Sequence, residues 1–316
     1  MTAQEGSLWV GFDVGATRVK AGLVEQGVGV VATEVAAVAD HRSPEQLVEL
    51  LAQLLDRLTI GRDGPKGVGL IAPGVLDRSA GIVRQSPNFP SWRDEPLGAA
   101  LQRRVGLPVI LDNDANGATL AEHRLGAGRG SSTMICLTLG TGVGGGVILG
   151  GELWRGARGM AGELGHVTVV SGGRACGCGN LGCLEQYVGA VGIRKTLRER
   201  GGRWLELTDS PDAPRALSAL AAAGDVEALE LFADLGRYLG LGIVSILHVL
   251  DMECVVLTGG VAQSYALLEP TLLSTVQERA YKAMSSGLRL APGTLGDEAG
   301  VLGAVLLAQE GLEYVA

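Results

Sequence analysis

Thr133–Leu149 reads TMICLTLGTGVGGGVIL, and the segment after its glycines decides the fold. Gly140–Gly145 matches the dinucleotide fingerprint G-x-G-x-x-G letter for letter. That fingerprint requires a helix to open at the last glycine, so that a pyrophosphate can lie on its N-terminus. Here Val147–Leu149 is a second apolar strand, matching the strand Thr133–Thr138 before the glycine run Gly140–Gly146. The dinucleotide reading fails, and a strand–turn–strand unit remains. A Walker-type phosphate loop is also absent from the sequence.

The N-terminal region repeats this layout. Leu8–Phe12 is a short apolar run that ends at Asp13-Val14-Gly15-Ala16-Thr17, and the strands Val19–Glu25 and Gly29–Val35 come next. Two Gly/Thr turns, each at the tip of a strand pair, can turn backbone N–H groups and hydroxyls towards one anion. Asp13 adds a carboxylate at the first turn, and Mg²⁺ needs only one or two carboxylates besides its waters and substrate phosphates. The pattern predicts phosphate binding.

Between and after these turns, strands and helices alternate. Ser43-Pro44-Glu45-Gln46 is an N-cap with proline at the first helical position and glutamine three after the cap. Leu47, Leu50, Leu51, Leu54, Leu55 and Leu58 then keep helical spacing. Gly67–Ala72 is a strand ending in Pro73-Gly74, Pro96–Arg104 a short helix, and Val109–Leu111 a strand ending at Asp112-Asn113-Asp114. Helices are expected over Asn116–Leu125, Glu185–Arg200, Arg215–Ala223, Val226–Leu241 running on towards Leu250, Tyr265–Met284 and Glu298–Gln309. A late strand, Glu253–Leu257, ends at Thr258-Gly259-Gly260. The chain is α/β with two domains: residues 1–115, completed by a C-terminal helix 298–316, and residues 116–297.

Composition narrows the function. Lys and Arg number 26 against 34 Asp and Glu, a net charge of −8 that argues against nucleic acid and anionic membrane as partners. The chain is 47% hydrophobic, with no run approaching the ~20 apolar residues of a membrane span. Met1–Ser7 is too short and polar for a signal peptide, so a cytoplasmic protein is expected. Five cysteines then favour metal or catalysis over disulfides. Cys136 and Cys254 lie in apolar strands and read as small core residues.

The other three cysteines stand in Gly162–Glu185, GELGHVTVVSGGRACGCGNLGCLE. Cys176, Cys178 and Cys183, with His166, form a Cys₃His set suited to a closed, structural Zn²⁺ site. Gly177, Gly179 and Gly182 supply the tight conformations such a knuckle needs. Glu163 and Glu185 bracket the group and are not needed for metal. Asp112-Asn113-Asp114, between a strand and a helix, offers the carboxylate that phosphoryl transfer to a hydroxyl requires. Spacing alone does not choose between the two aspartates; Asp114 is preferred.

These motifs converge on a resemblance. The first turn, Ser86-Pro87-Asn88, Asn113–Asn116, Leu139–Gly146, Ala161–His166, Cys176–Glu185, Thr258–Val261 and Asp297–Gly300 occur in the order found in ROK-family sugar kinases. The chain is most similar to the bacterial glucokinases among them. The resemblance implies a two-domain sugar kinase/actin-like ATPase fold with an active-site cleft between the domains, commonly in dimers or tetramers. It implies Asp114 as the base at the 6-hydroxyl of glucose, with Asn88, Asn113, Glu163, His166 and Glu185 on the sugar. Asp13, Gly15, Ala16, Thr17, Gly140, Thr141 and Gly142 would grip Mg-ATP, and Gly259-Gly260 would lie along the nucleoside. It also gives His166 two duties, one ring nitrogen on zinc and the other towards sugar, which is sensible because metal on one nitrogen fixes the tautomer at the other. Ala16 and Arg18 depart mildly from the family's usual glycine and lysine; alanine there implies a position that does not need positive φ. N-acetylglucosamine, N-acetylmannosamine, mannose and fructose are alternative acceptors, and polyphosphate an alternative donor. The family's repressors carry an extra N-terminal helix-turn-helix domain, for which a first strand at residue 8 leaves no room, so a non-catalytic regulator is the remote alternative.

Overall fold

The computed structural model describes residues 6–38 and 43–313. Most of Met1–Ser7 and the last three residues of the expected closing helix lie outside that range. The chain divides into two compact units, and each repeats one sheet design.

The first unit takes the chain up to Arg124, the short return Arg155–Ala161, and the chain from Asp297 onward. Its strands β1 (Leu8–Val14), β2 (Arg18–Glu25) and β3 (Gly29–Ala37) form an antiparallel meander. α1 (Pro44–Thr59) comes after them, with the Ser43–Gln46 capping box formed and Leu47, Leu50, Leu51, Leu54 and Leu58 buried. β4 (Val68–Ala72) pairs parallel with β1. The small hairpin β5 (Val75–Asp77) and β6 (Ile82–Gln85) and the helix α2 (Leu97–Val105) come next. β7 (Val109–Asn113) then adds parallel to β4 and runs directly into α3 (Asp114–Arg124). The sheet order is β3-β2-β1-β4-β7.

The C-terminal helix Ala299–Glu313 lies on this sheet at backbone distance and also packs on α3. A Cβ on Gly69 of β4 would stand 1.8 Å from the Ala304 carbonyl oxygen, and one on Gly303 would stand 2.1 Å from that of Gly117. Only glycine lets backbones approach so closely. Because α3 is held by that helix, the chain leaves the first unit after Arg124 rather than near residue 115.

The second unit comprises Leu125–Trp154 and Gly162–Gly296. β8 (Met134–Leu139), β9 (Val143–Leu149) and β10 (Glu152–Leu153) make a second antiparallel meander. The helices α4 (Glu185–Val188), α5 (Ala190–Arg200), α6 (Ala213–Ala222) and α7 (Val226–Leu250) precede β11 (Cys254–Thr258), which pairs parallel with β8. After α8 (Tyr265–Arg279) and α9 (Lys282–Ser285), β12 (Arg289–Pro292) pairs parallel with β11. The order β10-β9-β8-β11-β12 repeats the first sheet strand for strand.

Five expectations shift. α3 begins at Asp114 rather than Asn116, because Asn113 Oδ1 accepts from the N–H groups of Ala115 and Asn116. β9 starts inside the glycine run, where Gly144–Gly146 pair with Thr138–Cys136 of β8. The helix expected over Glu185–Arg200 is broken at Gly189, whose backbone is extended, and that over Tyr265–Met284 at Ala280. Finally, α7 is long and apolar enough to cross a membrane by length and composition, although Asp234 and Arg237 interrupt its run in the sequence. Half of its most apolar window is buried, with Leu231, Phe232, Leu235, Leu239, Ile243 and Leu247 in the core of the second unit. Cys136 and Cys254 are fully buried in β8 and β11, as their apolar settings predicted.

Candidate active site

In the first unit the candidate residues gather at the C-terminal edge of the parallel strands, where open α/β sheets bind ligands. Asp13 lies opposite Ile71, and Ile71 opposite Asp112, so the ends of β1, β4 and β7 stand level. The turn after β1 is closed by the Gly15 N–H donating to the Arg18 carbonyl at 2.9 Å. Ala16 is outside the positive-φ residues, so the turn accepts alanine as the sequence implied. Burial pushes the Asp13 carboxyl above the usual aspartate range, against the pull of Lys20 and Arg18. Its carboxylate rests on the first turn of the C-terminal helix: a Cβ on Gly300 would stand 2.4 Å from Asp13 Oδ2. Lys20, opposite Asp13 in β2, pairs with Asp297 just ahead of the same helix.

The structure separates the two aspartates that spacing could not. Asp112 is 4% exposed and fully engaged. Its Oδ2 meets Arg78 Nε at 3.2 Å and Arg155 Nε at 3.0 Å, while Oδ1 accepts from the Asn113 N–H and Asn116 Nδ2. Asp114 is half-buried in the first turn of α3, its Oδ1 accepting from the Ala115 N–H at 2.9 Å. Both oxygens of Asp112 are thus occupied, by partners from two other segments of the chain and from the start of the helix that follows it. Asn113 Nδ2 donates to the Gly74 carbonyl at 3.2 Å, tying the end of β7 to the loop after β4. Asn88 stands half-buried on a loop pinned by the buried, stacked rings of Phe89 and Trp92, 4.1 Å apart.

In the second unit the glycine turn is built differently. Gly140 N–H donates to the Gly142 carbonyl at 3.0 Å, and the first amides of α5, at Ala190 and Val191, donate to the carbonyls of Gly140 and Thr141. The Glu185 carboxylate lies on the same turn, with Oε2 accepting from the Val143 N–H at 3.2 Å. A Cβ on Gly142 would stand 2.1 Å from that oxygen. Gly259, at φ +90°, ends β11 beside Leu139, bringing the Gly259-Gly260 stretch next to the turn. Among the described residues, no atom lies within 4 Å of where a Cβ on Gly140 or Gly260 would stand, so both offer open backbone.

The Cys₃His set comes together in the same unit. One donor atom from each of His166, Cys176, Cys178 and Cys183 lies within 4.8 Å of the others. Cys178 Sγ and Cys183 Sγ are 3.7 Å apart, and His166 Nδ1 is 3.5 Å from Cys176 Sγ. Tetrahedral zinc with Zn–S of about 2.3 Å and Zn–N of about 2.0 Å needs edges of about 3.8 Å and 3.5 Å, so the residues fit that ion. The knuckle is a tight hairpin bridged at Ala175 and Leu181, with positive φ at Gly179 and Gly182 but not at Gly177. Burial pushes the Cys183 thiol up to about 12 and Cys176 above its ordinary value, while the Asn180 N–H draws exposed Cys178 down. Such a crowd of thiols ionises readily only around a cation. His166 Nε2, on the ring edge away from Cys176, is 3.7 Å from Glu163 Oε2.

The sequence pattern of the ROK family matches residues 9–311. The chain belongs to the ROK family. It is 33% identical to the glucokinase of Streptomyces coelicolor, over 96% of this chain and 98% of that one. The ROK hexokinase of Thermus thermophilus superposes with a TM-score of 0.81 at 36% identity, covering 97% and 99% of the two chains. The ROK glucokinase of Streptomyces griseus, solved with glucose and AMPPNP, gives 0.79 at 32%, covering 96% and 100%. The xylose repressor of Bacillus subtilis is 30% identical over 93% of this chain and 75% of its own.

Sequence reasoning missed several residues of this ROK site. Arg78 and Arg155 lock Asp112, yet Arg155 is 43 positions away in the chain and nothing local marks it. Gln186 and Lys195 stand behind the cysteines: Gln186 Nε2 is 3.5 Å from Cys176 Sγ and 3.3 Å from Glu185 Oε1, and Lys195 donates to Gln186 Oε1.

Proposed function

We propose that this ROK protein is an ATP-dependent hexose kinase whose acceptor is glucose, phosphorylated at the 6-hydroxyl. The observation that carries the reading is the division between the aspartates: Asp112 is buried against Arg78 and Arg155, whereas Asp114 opens α3 half-buried at the end of β7, the place assigned here to the base. Asp114 takes the proton of the 6-hydroxyl as that oxygen bonds to the γ-phosphorus and the bond to the β–γ bridging oxygen breaks, releasing ADP. Asn88, Asn113, Glu163, His166 and Glu185 are the residues assigned to the sugar hydroxyls. The turns Gly15–Thr17 and Gly140–Gly142 receive the phosphates, and Gly259-Gly260 runs along the nucleoside.

Asp13 would hold the Mg²⁺ that arrives with ATP, and Mg²⁺ when bound neutralises charge across the transferred phosphate. His166, Cys176, Cys178 and Cys183 would hold Zn²⁺, whose part is structural. With Nδ1 committed there, His166 keeps Nε2 beside Glu163 for the sugar. Glucose is favoured over amino sugars and other hexoses because the two Streptomyces glucokinases match nearly the whole chain at 32–33% identity, against 26% for a candidate N-acetylmannosamine kinase. The cytoplasm, which supplies ATP and keeps thiols reduced, suits the five free cysteines.

Hexoses and amino sugars assayed with ATP by coupled ADP release test the substrate; glucose is expected to give the highest kcat/KM, and a better acceptor would replace it. Asp114→Asn should lower kcat at least about a hundredfold, with folding and zinc content intact. Retained turnover would remove Asp114 as the base. The similarity to a xylose repressor supports one rival, a sugar-binding regulator. That rival predicts glucose binding with no ADP release from the unaltered protein.

A further inference from the structure

We propose that Lys195 and Gln186 are positioning residues that couple the metal knuckle to the sugar site through Glu185. The inference rests on the zinc and sugar roles proposed above. Glu185 Oε1 is 3.8 Å from Cys176 Sγ. Once Cys176 ligates a cation as thiolate, two anionic groups face each other at that distance, and like charges so placed repel unless donors stand between them. Gln186 supplies them. It is 6% exposed, and its Nε2 carries two N–H donors, one for Cys176 Sγ at 3.5 Å and one for Glu185 Oε1 at 3.3 Å.

An amide can face either way, and Lys195 decides which. An ammonium has donors and no acceptor, so it must meet Oε1, turning Nε2 towards the thiolate and the carboxylate. Lys195 sits on α5, whose first amides also hold the Gly140 and Thr141 carbonyls. The other oxygen of Glu185 is fixed by the Val143 N–H. One helix therefore sets the glycine turn directly and the Glu185 carboxylate through Gln186, without a side chain of its own in either ligand site. Removing the Lys195 charge leaves the buried Gln186 Oε1 without its donor and loosens the amide that stands between the thiolate and the carboxylate.

The test uses the full-length protein, isolated with its native metal. Lys195→Met, Lys195→Arg and Gln186→Leu are compared for the rate of zinc transfer to a colorimetric chelator and for sugar KM and kcat. Lys195→Met should speed zinc transfer and raise sugar KM by about tenfold each, the usual cost of losing a partner behind a metal ligand, with kcat changing less than KM. Lys195→Arg, which still donates to the amide oxygen, should restore both values. Gln186→Leu should exceed Lys195→Met in both. Unchanged zinc transfer and sugar KM in Lys195→Met would overturn the proposal, as would Lys195→Arg failing as badly as the methionine. If the unaltered protein holds no zinc, the metal reading falls by itself, and the KM comparison still judges Lys195.

Discussion

The two glycine turns sit at matching places in two sheets of the same strand order, yet each obtains its carboxylate differently. In the first, Asp13 belongs to the strand that leads into the turn, and the C-terminal helix supports it at Gly300. In the second, the strand brings Thr138 to the equivalent place, and the acid comes from Glu185, 42 residues beyond the amide it binds. A local acid is free to face a cation delivered with a phosphate. An imported acid carries its surroundings with it, here the metal knuckle. On the function proposed above, the local acid would serve the nucleotide's metal and the imported one the sugar.

Four substitutions probe that contrast. Asp13→Asn should cut kcat/KM for Mg-ATP about a hundredfold, the scale of losing one group aimed at developing charge. The same change should raise thermal stability of the ligand-free protein at neutral pH. Burial raises the folded-state pKa of Asp13, so ionisation destabilises the fold; the gain from asparagine must shrink as pH falls and vanish below the ordinary value of 3.8. A melting-temperature series against pH reads this, and a variant gain that persists in acid would contradict it. Gly142→Ala places a methyl 2.1 Å from Glu185 Oε2 and should raise sugar KM about tenfold by displacing that carboxylate. Gly300→Ala crowds Asp13 at 2.4 Å instead, and should raise the Mg-ATP KM by about fivefold while sparing the sugar. If both alanines shift the same KM, the proposed division between the turns is wrong. Asp297→Asn is the smallest change. The pair with Lys20 holds the Asp297 carboxyl below its usual range, so its stabilisation is present at neutral pH and lost as pH falls below 3.8. Asp297 is 88% exposed, so denaturation should register only a few tenths of a kcal/mol, less in high salt.

Legibility in the sequence divides along the same local–remote line. The capping box at Ser43, the leucine stripe of α1 and the Cys₃His donors are patterns over a few residues, and each appears as expected. Spacing alone does not choose between Asp112 and Asp114, because the contacts that tell them apart, those of Arg78 and Arg155 with Asp112, are assembled by the fold. Gln186 likewise looks like any early helical residue until Lys195 turns its amide. The broken helix at Gly189 was illegible for a related reason: the break serves to bring the Ala190 amide onto Gly140. Helical spacing records which face is buried; it does not record where another loop needs the helix to begin.

The glycine-lined seat of Ala299–Glu313 on the first sheet has a consequence for biosynthesis. During translation the strands of the first sheet emerge before the second unit, but the helix that covers them emerges only after it. The second unit, whose sequence lies almost wholly between those two pieces, can assemble while the first still exposes a bare apolar face. The first unit is therefore closed only once the second has been made, and its sheet stays uncovered for the length of chain between them.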